Sequence, residues 1–206
     1  GNAAFAQFPV LEYARPELEN LENELDVGFA VTGRSKTHMV LLALYGSASS
    51  LIDHFQLGLR LPNAAPIAAC FTAWSPAKSL EAWLTRAHEA RGGYDEKLDQ
   101  RLRMSVISIR ARGYEVTLQT RAEAKLHEDL RNIQNAWNLK ELEAITEKYQ
   151  HDLCDEYVHL DRIEPRSRYE VSTINVPVFA YKQLPALCFS AGSFKQALTG
   201  EEIETV

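Results

Sequence analysis

Apolar residues in this chain recur at two spacings, and the spacing changes several times along it. Residues 172–194, STINVPVFAYKQLPALCFSAGSF, form two apolar runs rich in β-branched and aromatic residues. The polar pair Lys182-Gln183 separates them, which predicts a hairpin. Side chains alternate faces along a strand. Ile174, Val176 and Val178 therefore share one face, and Thr173, Asn175, Pro177 and Phe179 share the other. On the second strand Leu187, Phe189 and Ala191 oppose Ala186, Cys188, Ser190 and Gly192. A loop centred on Lys182-Gln183 pairs Thr173 with Gly192, Asn175 with Ser190, and Pro177 with Cys188. The aliphatic sets are expected to pack a core. The other face is short-chained and mildly polar. It suits a ligand lying against the sheet, and equally a helix that needs small residues beneath it.

Elsewhere the pattern predicts a helix over Pro9–Leu25, with Leu11, Leu18, Leu21 and Leu25 at helical spacing and Pro16 near its first turn. Val27–Thr32 and Met39–Tyr45 read as a second hairpin around GRSKTH, and Phe55–Leu61 as a third strand ending at Pro62. Residues 47–53 read as a short link. Asn63 is placed to cap a helix reaching Trp74, built on Ala64, Ala65, Ala68 and Ala69. The amides at its start make a natural anion site, although close helix–sheet packing explains the small residues as well. Ser75–Ala90 reads as an amphipathic helix capped by Ser75 or Ser79, with a Leu80, Trp83, Leu84 stripe and a stop at Gly92-Gly93. Tyr94–Arg112 is a longer helix ending at Gly113, and Tyr114–Leu118 a fourth strand. Residues 121–155 carry two charged helices split near Asn138, lined by Leu126, Leu130, Ile133 and Trp137, then by Leu142, Ile145 and Tyr149. Tyr157–Ile163 is expected to add a short strand. Leu198–Val206 closes the chain as a helix with Thr199 as its cap. Hairpins at both ends point to an α+β domain with one antiparallel sheet and helices packed on its faces.

Composition narrows the function. The chain has 206 residues, an apolar fraction of 46% and a net charge of -6. It is long enough for a real core and too acidic for a nucleic-acid surface of its own. Arg101, Arg103, Arg110 and Arg112 fall on one helix and read as a solvated face. Cys70, Cys154 and Cys188 form no CxxC pair, which fits a reducing, cytoplasmic setting. No run approaches a membrane span. No leader opens the sequence, and Gly1 reads as a cut or tag remnant. His151, Cys154 and His159 lack a complete metal-ligand spacing, so no metal and no cofactor is expected.

The element order is similar to a known family. "GLRLP" precedes the small-residue segment, and "RARGYEV" closes the long helix. "INVPVFAYKQLPALCFSAGSFKQALTGEEI" then runs to the end. Together they resemble the effector-binding domain of IclR-type (isocitrate lyase regulator) transcriptional regulators, over nearly the whole chain. Pro177, Val178, Phe179, Ser190, Gly192, Leu198 and Thr199 carry the most specific match. Residues 1–25 resemble that family's linker helix, 26–206 its effector domain, and 121–155 a helical insert unusual for it. The resemblance implies a GAF-like fold of about six antiparallel strands with helices on both faces, and a small-molecule pocket on one sheet face. It implies homodimers or homotetramers, with DNA reached only through a winged helix-turn-helix domain absent from this chain, and no membrane partner. Its anion-binding amides fall on Ile67 and Ala68, and its polar strand residue on Ser190. Asn175, Pro177 and Cys188 point into the same space. Ala180 stands where the family usually has Asp, and Ser167 near where an acidic pocket residue sits. Ile67, Phe71 and Trp74 make the wall more apolar than usual, which points to a larger, partly apolar or aromatic ligand, still of the organic-acid kind.

Three readings of function follow. The first is a metabolite sensor, not an enzyme, with Ile67, Ala68, Phe71, Trp74, Asn175, Pro177, Cys188 and Ser190 at the site. The second is an enzyme using Cys70 or Cys188 as nucleophile with His54 or His88 as base. The third is an assembly module with no pocket, joined through Trp137 and Tyr149 of the insert.

Overall fold

The computed structural model describes residues 10–46, 55–133, 138–179 and 184–206. Its elements are α1 (Val10–Leu25), β1 (Gly28–Arg34), β2 (His38–Tyr45), β3 (Arg60–Pro62), α2 (Ala69–Thr72), α3 (Ala77–Ala90), α4 (Glu96–Arg112), β4 (Glu115–Leu118), α5 (Arg121–Asn132), α6 (Leu139–Leu153), β5 (Arg168–Tyr169), β6 (Val171–Phe179), β7 (Pro185–Gly192), β8 (Leu198–Thr199) and α7 (Gly200–Thr205). Six strands form one antiparallel sheet in the order β3-β2-β1-β7-β6-β4, and β5 pairs with β8 apart from it. The chain is α+β, as the alternation predicts.

The closing hairpin has the expected register: Thr173 faces Gly192, Asn175 faces Ser190 and Pro177 faces Cys188. Its Lys182-Gln183 turn lies outside the described residues, as does the link at 47–53. β7 also pairs with β1, so the hairpin occupies the middle of the sheet. One sheet face is filled. Phe29, Val31, Ala43, Tyr45, Leu187 and Ala191 pack under Leu11 and Leu18 of α1. Val116 and Ile174 pack under Ile203 of α7. Val176 is expected in this core but is 47% exposed.

Among the described residues three register shifts alter the alternation, one of them at the end of the closing hairpin, where the pairing passes from Val178–Leu187 to Phe179–Pro185 and leaves Ala186 as an extra residue. Between β1 and β2 the pairing passes from Val31–Ala43 to Thr32–Leu41, leaving Leu42 as an extra residue. Gly33 makes room for it: a Cβ there would lie 2.9 Å from Leu42 Cδ1. Between β4 and β6 the pairing passes from Thr117–Thr173 to Leu118–Val171, leaving Ser172 as the extra residue.

Several expected elements change. β3 holds only Arg60–Pro62 of the strand expected over 55–61. Asn63 caps no helix, because its side-chain amide donates to Ser35 O and Lys36 O and so ties down the β1–β2 turn. Pro66 disfavours a helical Ala65, and helix begins only at Ala69, after a left-handed Ala68 with φ 66°. Pro76, not Ser75 or Ser79, occupies the N-cap of α3. The stretch 157–163 makes a single bridge, Thr117 to His159, in place of a strand.

The arginines of α4 are mostly ties and not a solvated face. Arg101 donates to Cys154 O at 2.7 Å, Arg112 to Leu160 O at 3.1 Å, and Arg103 joins Glu81 to Asp99. Only Arg110 of the four is exposed. Asp95 caps α4, and Gly113 ends it in the left-handed region with φ 99°. The charged helices α5 and α6 pack on each other and, through Leu126 and Leu130, on Leu41 and Leu59. They cover the second sheet face. Among the described residues no helix is long and apolar enough to cross a membrane.

Candidate ligand-binding site

The second sheet face is not filled. Between it and the α2, α5 and α6 layer lies a cavity of about 190 Å³. That is room for a small organic molecule and not merely a single water. Its floor crosses the sheet and changes character on the way. At the β1–β2–β3 side Ala30, Met39, Leu41, Leu44 and Leu61 line it, with Leu59 and Leu126 close by. Leu41 and Leu44 both reach it because the bulge at Leu42 lies between them. At the β4–β6 side Glu115, Thr117, Ser172, Thr173 and Asn175 line it. Ser172 and Thr173, consecutive residues, reach it together because Ser172 is the bulged residue of β6.

The polar side chains form two groups, His159–Glu115–Asn175–Thr173–Thr117 and Ser172–Glu123. His159 Nε2 lies 3.0 Å from Glu115 Oε1, with the two side chains only 4% and 6% exposed. Asn175 Nδ2 donates to Glu115 Oε2 at 3.1 Å and to Thr173 Oγ1 at 3.0 Å. Thr117 and Thr173 hydroxyls are 2.7 Å apart. Ser172 Oγ donates to Glu123 Oε1 at 2.5 Å. Burial raises the Glu123 carboxyl above its ordinary value, against the opposing pull of the Ser172 hydroxyl and the Thr120 backbone. Tyr149 lines the cavity too, and its hydroxyl is raised by burial and by the nearby carboxylates of Glu123, Glu156 and Glu115.

Of the residues singled out from sequence, Ile67, Ala68, Phe71, Asn175, Cys188 and Ser190 line this cavity. Trp74 and Pro177 do not. Trp74 packs between the α3–α4 core and the Ile67, Ala68 and Phe71 cluster, and meets Phe179 edge-on at 5.4 Å. Pro177 is buried past the point where Cys70 Sγ donates to Asn175 O at 3.7 Å and seats α2 on β6, which closes that end. Ser167, expected near an acidic pocket position, is exposed in the turn before β5. Ala180 lies outside the described residues. Reading from sequence misses Glu115, Thr117, Glu123, Tyr149, His159 and Ser172. Glu115 and Thr117 were legible as the polar alternation of YEVTL. The rest arrive through a bulge, a loop and the covering helices.

The other chemistries do not assemble. The Cys70 thiol is pushed well up by hydrogen bonding to Cys188 and by burial, the reverse of what a nucleophile needs. His88 pairs with Asp99 at 3.2 Å in a separate cluster, and His54 lies outside the described residues. His151 sits against Ala90 O, Cys154 against Ala65 O, and His159 on Glu115. Among the described residues no group of His, Cys, Asp and Glu could hold a metal. Tyr149 turns inward to the cavity, and Trp137 lies outside the described residues.

No protein-family model matches the chain, and no curated protein is similar to it in sequence. Solved structures are similar in fold. The Thermotoga maritima IclR superposes with a TM-score of 0.57 at 15% identity, over 98% of this chain and 64% of that one. An IclR family transcriptional regulator from Brucella abortus gives a TM-score of 0.54 at 16% identity, over 93% of this chain and 55% of that one. The transcriptional regulator YaiJ gives 0.52 at 14% identity, over 96% of this chain and 84% of that one. The chain thus spans about half to two thirds of the length of the two IclR structures. Over that span it has the fold of IclR-family transcriptional regulators, with a six-stranded antiparallel sheet and helices on both faces.

Proposed function

We propose that this chain is the effector-sensing part of an IclR-type transcriptional regulator. A small metabolite binds in the cavity between the sheet and the α2–α5–α6 layer. Its contacts favour one arrangement of a homodimer or homotetramer, and so position DNA-binding domains carried on a part of the regulator outside this chain. The observation that supports this reading is the cavity itself: a covered apolar space with polar groups at one side, on a sheet whose other face is closed. The similarity in fold to transcriptional regulators agrees with it. An assembly module would have no reason to leave that space open.

A thermal-shift screen of the chain against amphiphilic metabolites, followed by native mass spectrometry of each hit, tests the proposal. A hit that raises Tm with a saturable dose response and binds one per chain is the expected result. The absence of any stabilising compound across acids, alcohols and amines would overturn it.

A further inference from the structure

The resemblance implies an organic acid, but the cavity offers such a ligand no counter-charge. No Lys or Arg of the described residues lines it, whereas two carboxylates, Glu115 and Glu123, do. The imidazole that lines it, His159, is already against Glu115. The amide and serine donors at the β4–β6 side are committed as well, while the Thr32 and Ser190 hydroxyls on the central strands keep donor capacity. Both N–H bonds of the Asn175 amide go to Glu115 and Thr173, and the Ser172 hydroxyl goes to Glu123. What remains at the β4–β6 side is acceptor capacity: the carboxylate lone pairs and the Asn175 amide oxygen. The Tyr149 hydroxyl makes no hydrogen bond with a described residue and can serve either way. A ligand head set against these carboxylates has to donate. A carboxylate would accept only, and would face like charge in a poorly solvated space.

We infer that the effector, resting on the sensor reading above, is an apolar amine. Its ammonium head lies at Glu123, with the Glu115 carboxylate adding negative charge farther along, beside Asn175 of β6, and its hydrocarbon body lies along Leu41, Leu59 and Leu126. The cavity supplies both halves: charge-assisted acceptors at one side of the sheet and aliphatic walls at the other. Each carboxylate faces a histidine, Glu115 with His159 at 3.0 Å and Glu123 with His127 at 4.0 Å, and the longer pair makes Glu123 the sharper probe.

The test is isothermal titration of the chain with matched amines, alcohols and carboxylates, each on butyl, hexyl and phenylethyl skeletons. The amine of the best-fitting skeleton is expected to bind about 100-fold more tightly than the corresponding acid, the scale of a like-charge contact against a charge-assisted one. Glu123→Gln is expected to weaken that amine about tenfold or more and to leave the neutral alcohol within about threefold. The alcohol reports whether the cavity and the fold are intact. An acid that binds as well as its amine would overturn the amine assignment and leave the sensor standing. So would a Glu123→Gln variant that keeps the wild-type amine-to-alcohol ratio. Failure of every member of all three series to bind would overturn both.

Discussion

The two faces of the central sheet are cut from the same strands and end up differently. Along β7, Leu187 and Ala191 face α1, while Cys188 and Ser190 face the cavity. Along β1, Val31 packs under α1, while Ala30 and Thr32 line the open space. One face carries branched and aromatic side chains that interlock with a helix. The other carries short side chains on its central strands, Ala30 and Thr32 on β1 and Cys188 and Ser190 on β7, and its covering helices bridge the gap without filling it. Strand alternation, reset at the bulges, therefore sorts residues into those that hold the domain together and those free to meet a ligand. The cost of leaving one face open is met by the packing on the other.

Substitutions on the filled face should have the largest effect. Leu187 is 1% exposed in the α1 cluster. Leu187→Ala should lower stability by about 2–5 kcal/mol in chemical denaturation, through lost burial and the hole left behind. A loss under about 1 kcal/mol would mean that this face is not the principal core. On the open face the expected effect is smaller and opposite in sign. Because burial raises the Glu123 carboxyl, its folded-state value lies above the unfolded one. The protonated form is favoured on folding, so Glu123's contribution is most favourable at acid pH and is lost as pH rises through the raised value. At neutral pH the buried carboxylate works against the fold. Glu123→Gln should raise the Tm of the ligand-free protein by a few degrees at pH 7 and change it little at pH 4. A lower Tm at pH 7 would show that Glu123 is a structural partner of Ser172 first. The same substitution is expected to weaken amine binding, so the site trades stability for recognition.

Much of this contrast was legible in the residues. The register of the last hairpin followed from the Lys182-Gln183 break, because alternation on both strands leaves few pairings that keep all the large side chains together. It placed Asn175, Cys188 and Ser190 on the open face correctly. The bulges at Leu42 and Ser172 were not legible, since an extra residue looks like ordinary sequence until its partner strand is known. Asn63 and Ser75 were read as caps from residue type alone. Asn63 is instead committed to the β1–β2 turn, and Ser75 donates back to Phe71 O and accepts from Arg34. Trp74 was placed at the site because Asn63–Trp74 was read as one helix. It packs between that segment and the α3–α4 core, outside the cavity lining. The role of α5 and α6 as the cavity's cover could not be read locally, because an amphipathic helix does not name the surface it packs on.

Ser190 and Ala191 are consecutive residues on opposite faces, which makes them the sharpest pair for the central claim that one face of the sheet is full and the other is a binding site. The decisive measurement is the affinity of the best screening hit for Ser190→Leu and for Ala191→Leu, each checked for folding by thermal melt. Ser190→Leu should abolish binding with little loss of Tm, because the added side chain enters empty space. Ala191→Leu should lower stability by about 1–3 kcal/mol through overpacking and leave the affinity of the folded protein unchanged. Equal affinity in wild type and Ser190→Leu would contradict the account, because the ligand would then be bound somewhere other than this cavity.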